Sequence, residues 1–467
     1  MKKINIFKML IALVLALSVM ISGSVLSAVA DGDEPATSDR KAGDISGDGV
    51  VDSVDLLFMR QYIANFDYDK GDTMELEGGD FTGDGKFDLL DLVALRTYLA
   101  NLDFGGGSGG VDPLPDVKVD NIRAISPTVG STVRLANDTI YNFWNTFMNT
   151  AANIPTLSGN DDYHPNSVTL EWECDKDAVY YLVYLSQNED MSNPQGFVTN
   201  KTSVTVTNLF VGTDYYWQVD AVSGTTTYRS EVFTFTTEDN GIPRMITLDG
   251  VSNTRDIGGM KATLDGVEYR VKQGMIYRGA TLDKITEKGK QQFLYDFAIK
   301  TDLDLRTPGE GGAGTKSPVS DSLNYINISG RYYAGGHGAG NEIDKEVNHA
   351  TFAEEIRVFA NPDNYPVFIH CSLGRDRTGT LAFVISGLLG VHGAGDDNNL
   401  ITEFMLSIFS SAGSSAKPLE PIRAVRNYIN TFEGDSFAER TESYLLSIGI
   451  TEEEIATIRS IMLEEVK

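Results

Sequence analysis

Cysteine is almost absent: Cys174 and Cys371 are the two in 467 residues, too few for a scaffold built on disulfides. Basic side chains are scarce as well, 38 Lys and Arg against 66 Asp and Glu, which leaves a formal net charge of -28. A chain this acidic repels nucleic-acid backbones and anionic membrane surfaces, so neither is expected as a partner. Long apolar runs are also missing. The longest, from about Met9 to Ile21, falls short of the ~20 residues that cross a bilayer core, which argues against membrane insertion. With Lys2 and Lys3 before it and Ala28-Val29-Ala30 after it, the run predicts a secretory signal peptide over residues 1–30 and a secreted, extracellular protein.

What is present divides the chain into parts, as its length requires. Residues 31–42 are polar, with Pro, Ser, Thr and acids and no hydrophobic period, and read as a linker. Residues 43–103 hold an internal repeat, in which Gly43-Asp44-Ile45-Ser46-Gly47-Asp48-Gly49 returns as Gly79-Asp80-Phe81-Thr82-Gly83-Asp84-Gly85, each copy followed by an amphipathic helical pattern. A Gly-rich stretch stiffened by Pro113 and Pro115 spans 104–118 and forms a second linker. From 119 to 239 the pattern alternates with β-branched and aromatic residues, as in Ser167-Val168-Thr169-Leu170-Glu171-Trp172, and predicts an all-β sandwich. From 240 to 467 short apolar strands alternate with helical patterns, the signature of an α/β domain.

In each repeat, oxygen-bearing side chains fall where a calcium loop needs them. Counting from Asp44, positions one, three, five, nine and twelve are Asp44, Ser46, Asp48, Asp52 and Asp55, with Gly49 at the sharp turn and Val50 offering its backbone carbonyl at seven. The second loop repeats the set with Asp80, Thr82, Asp84, Asp88 and Asp91, Gly85 at the turn and Lys86 at seven. Two structural Ca2+ ions are expected, one per loop. Loop followed by exit helix, twice and without entering helices, resembles a type I dockerin over about Gly43 to Leu102. The resemblance implies a cohesin domain on a scaffold protein as partner, met through Ser53 and Val54 in one copy and Leu89 and Leu90 in the other.

Val168 to Thr237 resembles a fibronectin type III domain, carried by Trp172 and by Leu209-Phe210-Val211-Gly212-Thr213-Asp214-Tyr215-Tyr216-Trp217. Trp172 and Cys174 are expected to fill its core rather than to bind a ligand. Residues 119–166 fit that pattern poorly and leave room for an insertion around Trp144 and Phe147.

Chemistry concentrates in Pro366-Val367-Phe368-Ile369-His370-Cys371-Ser372-Leu373-Gly374-Arg375-Asp376-Arg377-Thr378-Gly379-Thr380, which reads as an apolar strand, a tight loop and a helix starting near Arg377. Cys and Arg with five residues between them, at a strand-to-helix turn, make a cradle for phosphate. Backbone N–H groups of the loop and of the helix N-terminus converge there and favour negative charge. The same field favours the Cys371 thiolate, and Arg377 presents a planar fork to two phosphate oxygens. Ser372, Leu373, Gly374 and Arg375 line the cradle, and Thr378 is placed to donate its hydroxyl to the sulfur. Such a site forms a phosphocysteine and hydrolyses it, and it calls for no catalytic metal.

These residues resemble the protein tyrosine phosphatase superfamily, and more narrowly the bacterial tyrosine and lipid phosphatases with the loop His-Cys-x-x-Gly-Lys-Asp-Arg-Thr-Gly. Asn253-Thr254-Arg255-Asp256-Ile257-Gly258-Gly259, Tyr277-Arg278-Gly279, Asp304-Leu305-Arg306-Thr307-Pro308-Gly309-Glu310 and Glu403-Phe404-Met405-Leu406-Ser407 extend the likeness across nearly all of residues 245–467. The family's loop lysine is Arg375 here. The resemblance implies Asp376 as the acid that protonates the leaving group. Asp304 is a second carboxylate for that role, and each has a plain alternative: a helix cap for Asp376, a loop tie through Arg306 or Arg255 for Asp304. The expected fold is therefore multidomain, with a small α-helical calcium-loop dockerin, an all-β sandwich and a C-terminal α/β phosphatase domain with a mostly parallel central sheet. The expected function is hydrolysis of phosphate monoesters on a cohesin scaffold, with an inositol-phosphate scavenger and a catalytically inactive binding protein as the alternatives.

Overall fold

A computed structural model of the chain describes residues 42–45, 51, 55, 59, 79, 117–119, 121–147, 163–178, 180–192, 194–223, 226–330, 343–392, 398–410 and 419–466. It divides into two compact units: residues 1–131, 169–205 and 214–235 in one, and 132–168, 206–213 and 236–467 in the other. No helix among the described residues is long and apolar enough to cross a membrane.

The first unit is built on antiparallel strands. Tyr180–Ser186 pairs with Gln195–Thr199 on one side and with Asp214–Ser223 on the other, and Asp214–Ser223 continues into Thr226–Arg229. Val183, Trp217, Val219 and Ala221 are 0% exposed, and Leu182, Ser186 and Asp220 at the alternate positions are buried as well. Trp172 and Trp217 lie with ring centroids 6.5 Å apart, and Phe233 packs on Trp217 at 4.7 Å. Both tryptophans are core filling. Cys174 departs from expectation: it is a free thiol of intermediate exposure rather than a buried one, because it lies just past the end of the Val168–Glu173 strand that buries Trp172.

The second unit is organised by a five-stranded sheet. Its strands are β1 (Arg255–Asp256), β4 (Ile276–Gly279), β5 (Thr301–Asp304), β6 (Asn324–Asn327) and β7 (Val367–His370), in the order β1-β4-β7-β5-β6. β7 pairs parallel with β4 and β5, β5 pairs parallel with β6, and β1 runs antiparallel to β4. A separate antiparallel sheet joins β2 (Lys261–Leu264), β3 (Val267–Val271) and β8 (Leu463–Glu465). Every residue of β4, β5 and β7 is buried, as central strands covered on both faces must be.

Helices cover the sheet. In chain order they are α1 (Asp138–Thr146), α2 (Glu287–Gln291), α3 (Glu346–Phe359), α4 (Arg377–Leu388), α5 (Asn398–Met405), α6 (Glu420–Ile429), α7 (Phe437–Ser447) and α8 (Glu452–Met462). α4 is buried all round, the mark of a helix enclosed by its neighbours rather than laid on the surface. α1, which begins on an Asn137 side-chain cap to Ile140 N, joins the same core: the Phe143 ring lies 4.7 Å from Phe147 and 5.1 Å from Phe409.

Of the calcium-loop ligands expected from the sequence, Asp44 and Asp55 lie among the described residues. They are 3% and 0% exposed. Ser46, Asp48, Val50, Asp52, Asp80, Thr82, Asp84, Lys86, Asp88 and Asp91 lie outside them, as do the expected cohesin contacts Ser53, Val54, Leu89 and Leu90.

Candidate functional site

Strand register brings the site together. Gly279 and Asp304 are both level with His370, so three adjacent parallel strands end at one edge and their loops leave side by side. Ligands gather at that edge in open α/β sheets. The loop after β7 turns from Cys371 into Arg377, the first residue of α4. Gly374 makes the turn possible: its φ is +64°, and a Cβ there would stand 2.1 Å from the Gly279 carbonyl oxygen.

A buried polar frame holds this loop from behind. Arg278 donates to Gly374 O at 2.8 Å, and Asn253 Nδ2 donates to Leu373 O at 2.9 Å. The Glu403 carboxylate takes both Arg278 Nη1 contacts at 2.8 Å and Arg255 Nε at 2.6 Å. Burial pulls Arg278 down to about 10 and the neighbouring Arg255 adds to this, against the attraction of Glu403. Burial alone would raise Glu403, but Arg255 and Arg278 outweigh it and hold the carboxylate below its ordinary range.

Cys371 is 3% exposed. Burial opposes its ionisation, yet Arg377, the Thr378 hydroxyl and the backbone N–H groups of Thr378 and Leu373 together bring the thiol below its ordinary value. The Thr378 hydroxyl is buried, has no nitrogen or oxygen partner among the described residues, and is among the groups that lower the Cys371 thiol. Arg377 Nη1 donates to Leu305 O at 3.0 Å and to Glu310 Oε2 at 2.9 Å, and Nη2 donates to Glu310 Oε1 at 2.5 Å. Ser372 Oγ donates to the same Glu310 Oε1 at 2.8 Å. Hydrogen bonding from Arg377 takes the Glu310 carboxyl down to about 2, against the opposing effect of partial burial.

The two candidate acids stand in different surroundings. Asp376 occupies the N-cap position of α4, but its side chain makes no capping bond; its Oδ1 is 3.7 Å from Arg375 Nε. Asp304 is wholly buried and accepts from Arg306 N, Arg306 Nε, Arg306 Nη2 and the Tyr325 hydroxyl. Burial raises its pKa, but the Arg306 bonds and His370 prevail and keep it an anion. Arg306 in turn reaches Asp283 at 2.7 Å. His370 Nε2 is 2.9 Å from Asp302 Oδ1, off the line of a hydrogen bond. Burial disfavours the His370 cation, and Asp302 and Asp304 override this and raise its pKa.

Leu373 is 40% exposed at the lip of the loop, whereas Arg375 is 7% exposed. The structure thus sets Cys371, Ser372, Leu373, Gly374, Arg375 and Asp376 in one loop with Arg377 and Thr378 at the helix start that follows, and places Asp304 level with His370 on the neighbouring strand, bonded to Arg306. Glu310, Glu403, Arg278 and Asn253 received no role from the sequence, although all four stand in the stretches that carry the family resemblance; of the two ties expected for Asp304, Arg306 makes the bond and Arg255 bonds Glu403 instead.

Residues 246–464 match the family model described as the tyrosine phosphatase family, and residues 42–100 match the type I dockerin domain. This is a tyrosine phosphatase family domain. No curated protein matches the chain. Among solved structures, the core catalytic domain of the PP-IP phosphatase SIW14 from S. cerevisiae in complex with citrate is 17% identical, covering 32% of this chain and 78% of that one, with a TM-score of 0.23. A second Siw14 catalytic core is 18% identical over 36% and 85%, with a TM-score of 0.24. The fn3 domain of the human collagen alpha-1(XX) chain is 17% identical over 28% and 93%, with a TM-score of 0.16. The phosphatase domain thus carries its Cys-x5-Arg loop on a buried polar frame, in a chain that also bears a dockerin.

Proposed function

We propose that the chain is a secreted phosphatase, held by its dockerin on a cohesin scaffold, which hydrolyses phosphate monoesters through a phosphocysteine at Cys371. The observation that carries this reading is the Cys371 thiol, drawn below its ordinary pKa while facing Arg377, whose plane is fixed by Glu310. A thiolate is the attacking form, and a guanidinium clamped in one orientation loses little freedom when phosphate arrives.

In the first step the sulfur lone pair forms the S–P bond as the P–O bond to the leaving group breaks, and the departing oxygen takes a proton from Asp376. Asp376 suits this better than Asp304, which Arg306 and Tyr325 hold as an anion. In the second step water attacks phosphorus, its proton returns to Asp376, and the thiolate leaves with help from the Thr378 hydroxyl. Arg377 and the loop amides take up the charge on the transferring oxygens. Exposed Leu373 offers apolar contact to the leaving group.

Two calcium ions would be held by Asp44, Ser46, Asp48, Val50, Asp52 and Asp55, and by Asp80, Thr82, Asp84, Lys86, Asp88 and Asp91. Asp44 and Asp55 are buried carboxylates, the hard oxygen donors that a calcium loop gathers around its ion. The ions would neutralise the loops and fix the docking helices.

The test is phosphate release by the purified chain in reductant and chelator, on an aryl phosphate, a phosphotyrosine peptide, a phosphoinositide and inositol hexakisphosphate. Turnover that vanishes in Cys371→Ser supports the reading, and the preferred substrate separates protein, lipid and inositol-phosphate activity. Absence of turnover on all four would leave a scaffold-borne binding protein.

A further inference from the structure

Helix α3 carries an acid that the reaction above does not use. Glu355 is 0% exposed, and neither of its carboxyl oxygens has a hydrogen-bond partner. α3 packs on α4, the helix that starts at Arg377. The charged groups that bear on Glu355 are Arg377, which favours its anion, and Cys371, which opposes it. From α7 comes Tyr444, 0% exposed and with its hydroxyl likewise unpartnered, and Tyr428 of α6 stands beyond, its ring 5.8 Å from that of Tyr444. Arg357, also on α3, is turned to Glu454 at 3.0 Å on the exposed side. Among the described residues no cation or N–H group therefore touches Glu355, and burial holds its pKa well above the ordinary carboxylate value.

We propose that Glu355 is an uncharged carboxylic acid that keeps the back of the phosphate site electrically neutral, and that its ionisation at alkaline pH drives phosphate out. The inference rests on the phosphatase reading, which makes phosphate the ligand. Arg377 already serves the Glu310 carboxylate, the Cys371 thiolate and the incoming dianion. A further negative charge behind it, in surroundings where water cannot screen it, competes for the same guanidinium and repels the ligand. The neutral acid does neither.

The experiment reads phosphate affinity without turnover. Alkylation of the Cys371 peptide by iodoacetamide is followed by mass spectrometry across the neutral to alkaline range, with and without inorganic phosphate, in the full chain and in Glu355→Gln. The expected result is that protection by phosphate weakens roughly tenfold more in the wild-type chain than in the variant as pH rises, the change that a one-unit coupling between the two sites gives. Coincident pH dependences would overturn the proposal. Should Glu355→Gln not fold, glutamate labelled with 13C at the side-chain carboxyl gives an infrared reading on the wild-type chain: a protonated glutamate band persisting at neutral pH supports the proposal, and its absence refutes it. Neither measurement needs catalysis, so a chain that proved inactive would count against the functional reading alone.

Discussion

Glu310 grips Arg377 with both carboxylate oxygens, at 2.5 and 2.9 Å, and reaches Ser372 in the same loop at 2.8 Å. The acid thus ties the loop after β5 to the arginine and to the residue following the nucleophile. Glu310→Ala is expected to lower kcat/KM by roughly ten- to hundredfold, the worth of charge-assisted hydrogen bonds, and to raise KM as the guanidinium loses its orientation. Steady-state kinetics on an aryl phosphate check this. Because the Glu310 carboxyl stands at about 2, its anion persists as pH falls to that value, so an acidic limb at higher pH belongs to another group.

The nucleophile should titrate low. The Cys371 thiol lies below its ordinary value although burial opposes this, so its alkylation rate is expected to reach half-maximum below ~8.5. Thr378→Val removes one of the lowering influences and moves that midpoint upward, with kcat down about tenfold or more for the lost bond to a charged sulfur. A midpoint that does not move would deny Thr378 its role.

Glu403 joins Arg255 and Arg278 inside the protein. Glu403→Gln leaves two buried guanidinium groups short of a counter-charge and is expected to cost about 3–5 kcal/mol of stability, read as a lower Tm and denaturant midpoint. The sign with pH follows from the depressed folded pKa. The pair's contribution is present in full above the unfolded value of about 4.3 and is lost as pH falls through the folded value. Glu403→Gln should therefore be less sensitive to acid than the wild-type chain.

Phe143 lies outside the matched residues 246–464, yet its ring packs on Phe409. Phe143→Ala is expected to destabilise the catalytic unit by about 3–5 kcal/mol. Thermal unfolding followed by loss of phosphatase activity checks it; an unchanged transition would show that α1 is dispensable.

The strand, loop and helix start from Val367 to Thr380 were legible in the sequence because these parts are contiguous. The sequence could not disclose Glu310 as the partner of Arg377, or Glu403 as the hub for Arg255 and Arg278. Those contacts join residues 67 to 148 positions apart, and a single sequence holds no signal for pairings that the sheet order creates. The family resemblance put Asp376 first as the candidate acid and Asp304 second. They part company in space, since Asp304 ends a buried strand beside Arg306 while Asp376 sits where the loop opens. Helix α1 was hidden for a related reason: its apolar face is completed by α5-side residues more than two hundred positions later. Of the calcium loops, the described residues give the burial of Asp44 and Asp55 and nothing of their other expected ligands.

The segments 132–168 and 206–213 belong to the same compact unit as 236–467, so this catalytic body is stitched from three stretches of chain. During synthesis α1 leaves the ribosome long before Phe409, on which Phe143 packs, has been made. Shuffling the phosphatase between scaffolds by cutting at residue 246 would separate the graft from its own packing. A transferable cassette starts no later than Thr132, and it carries the intervening β strands with it as an insertion.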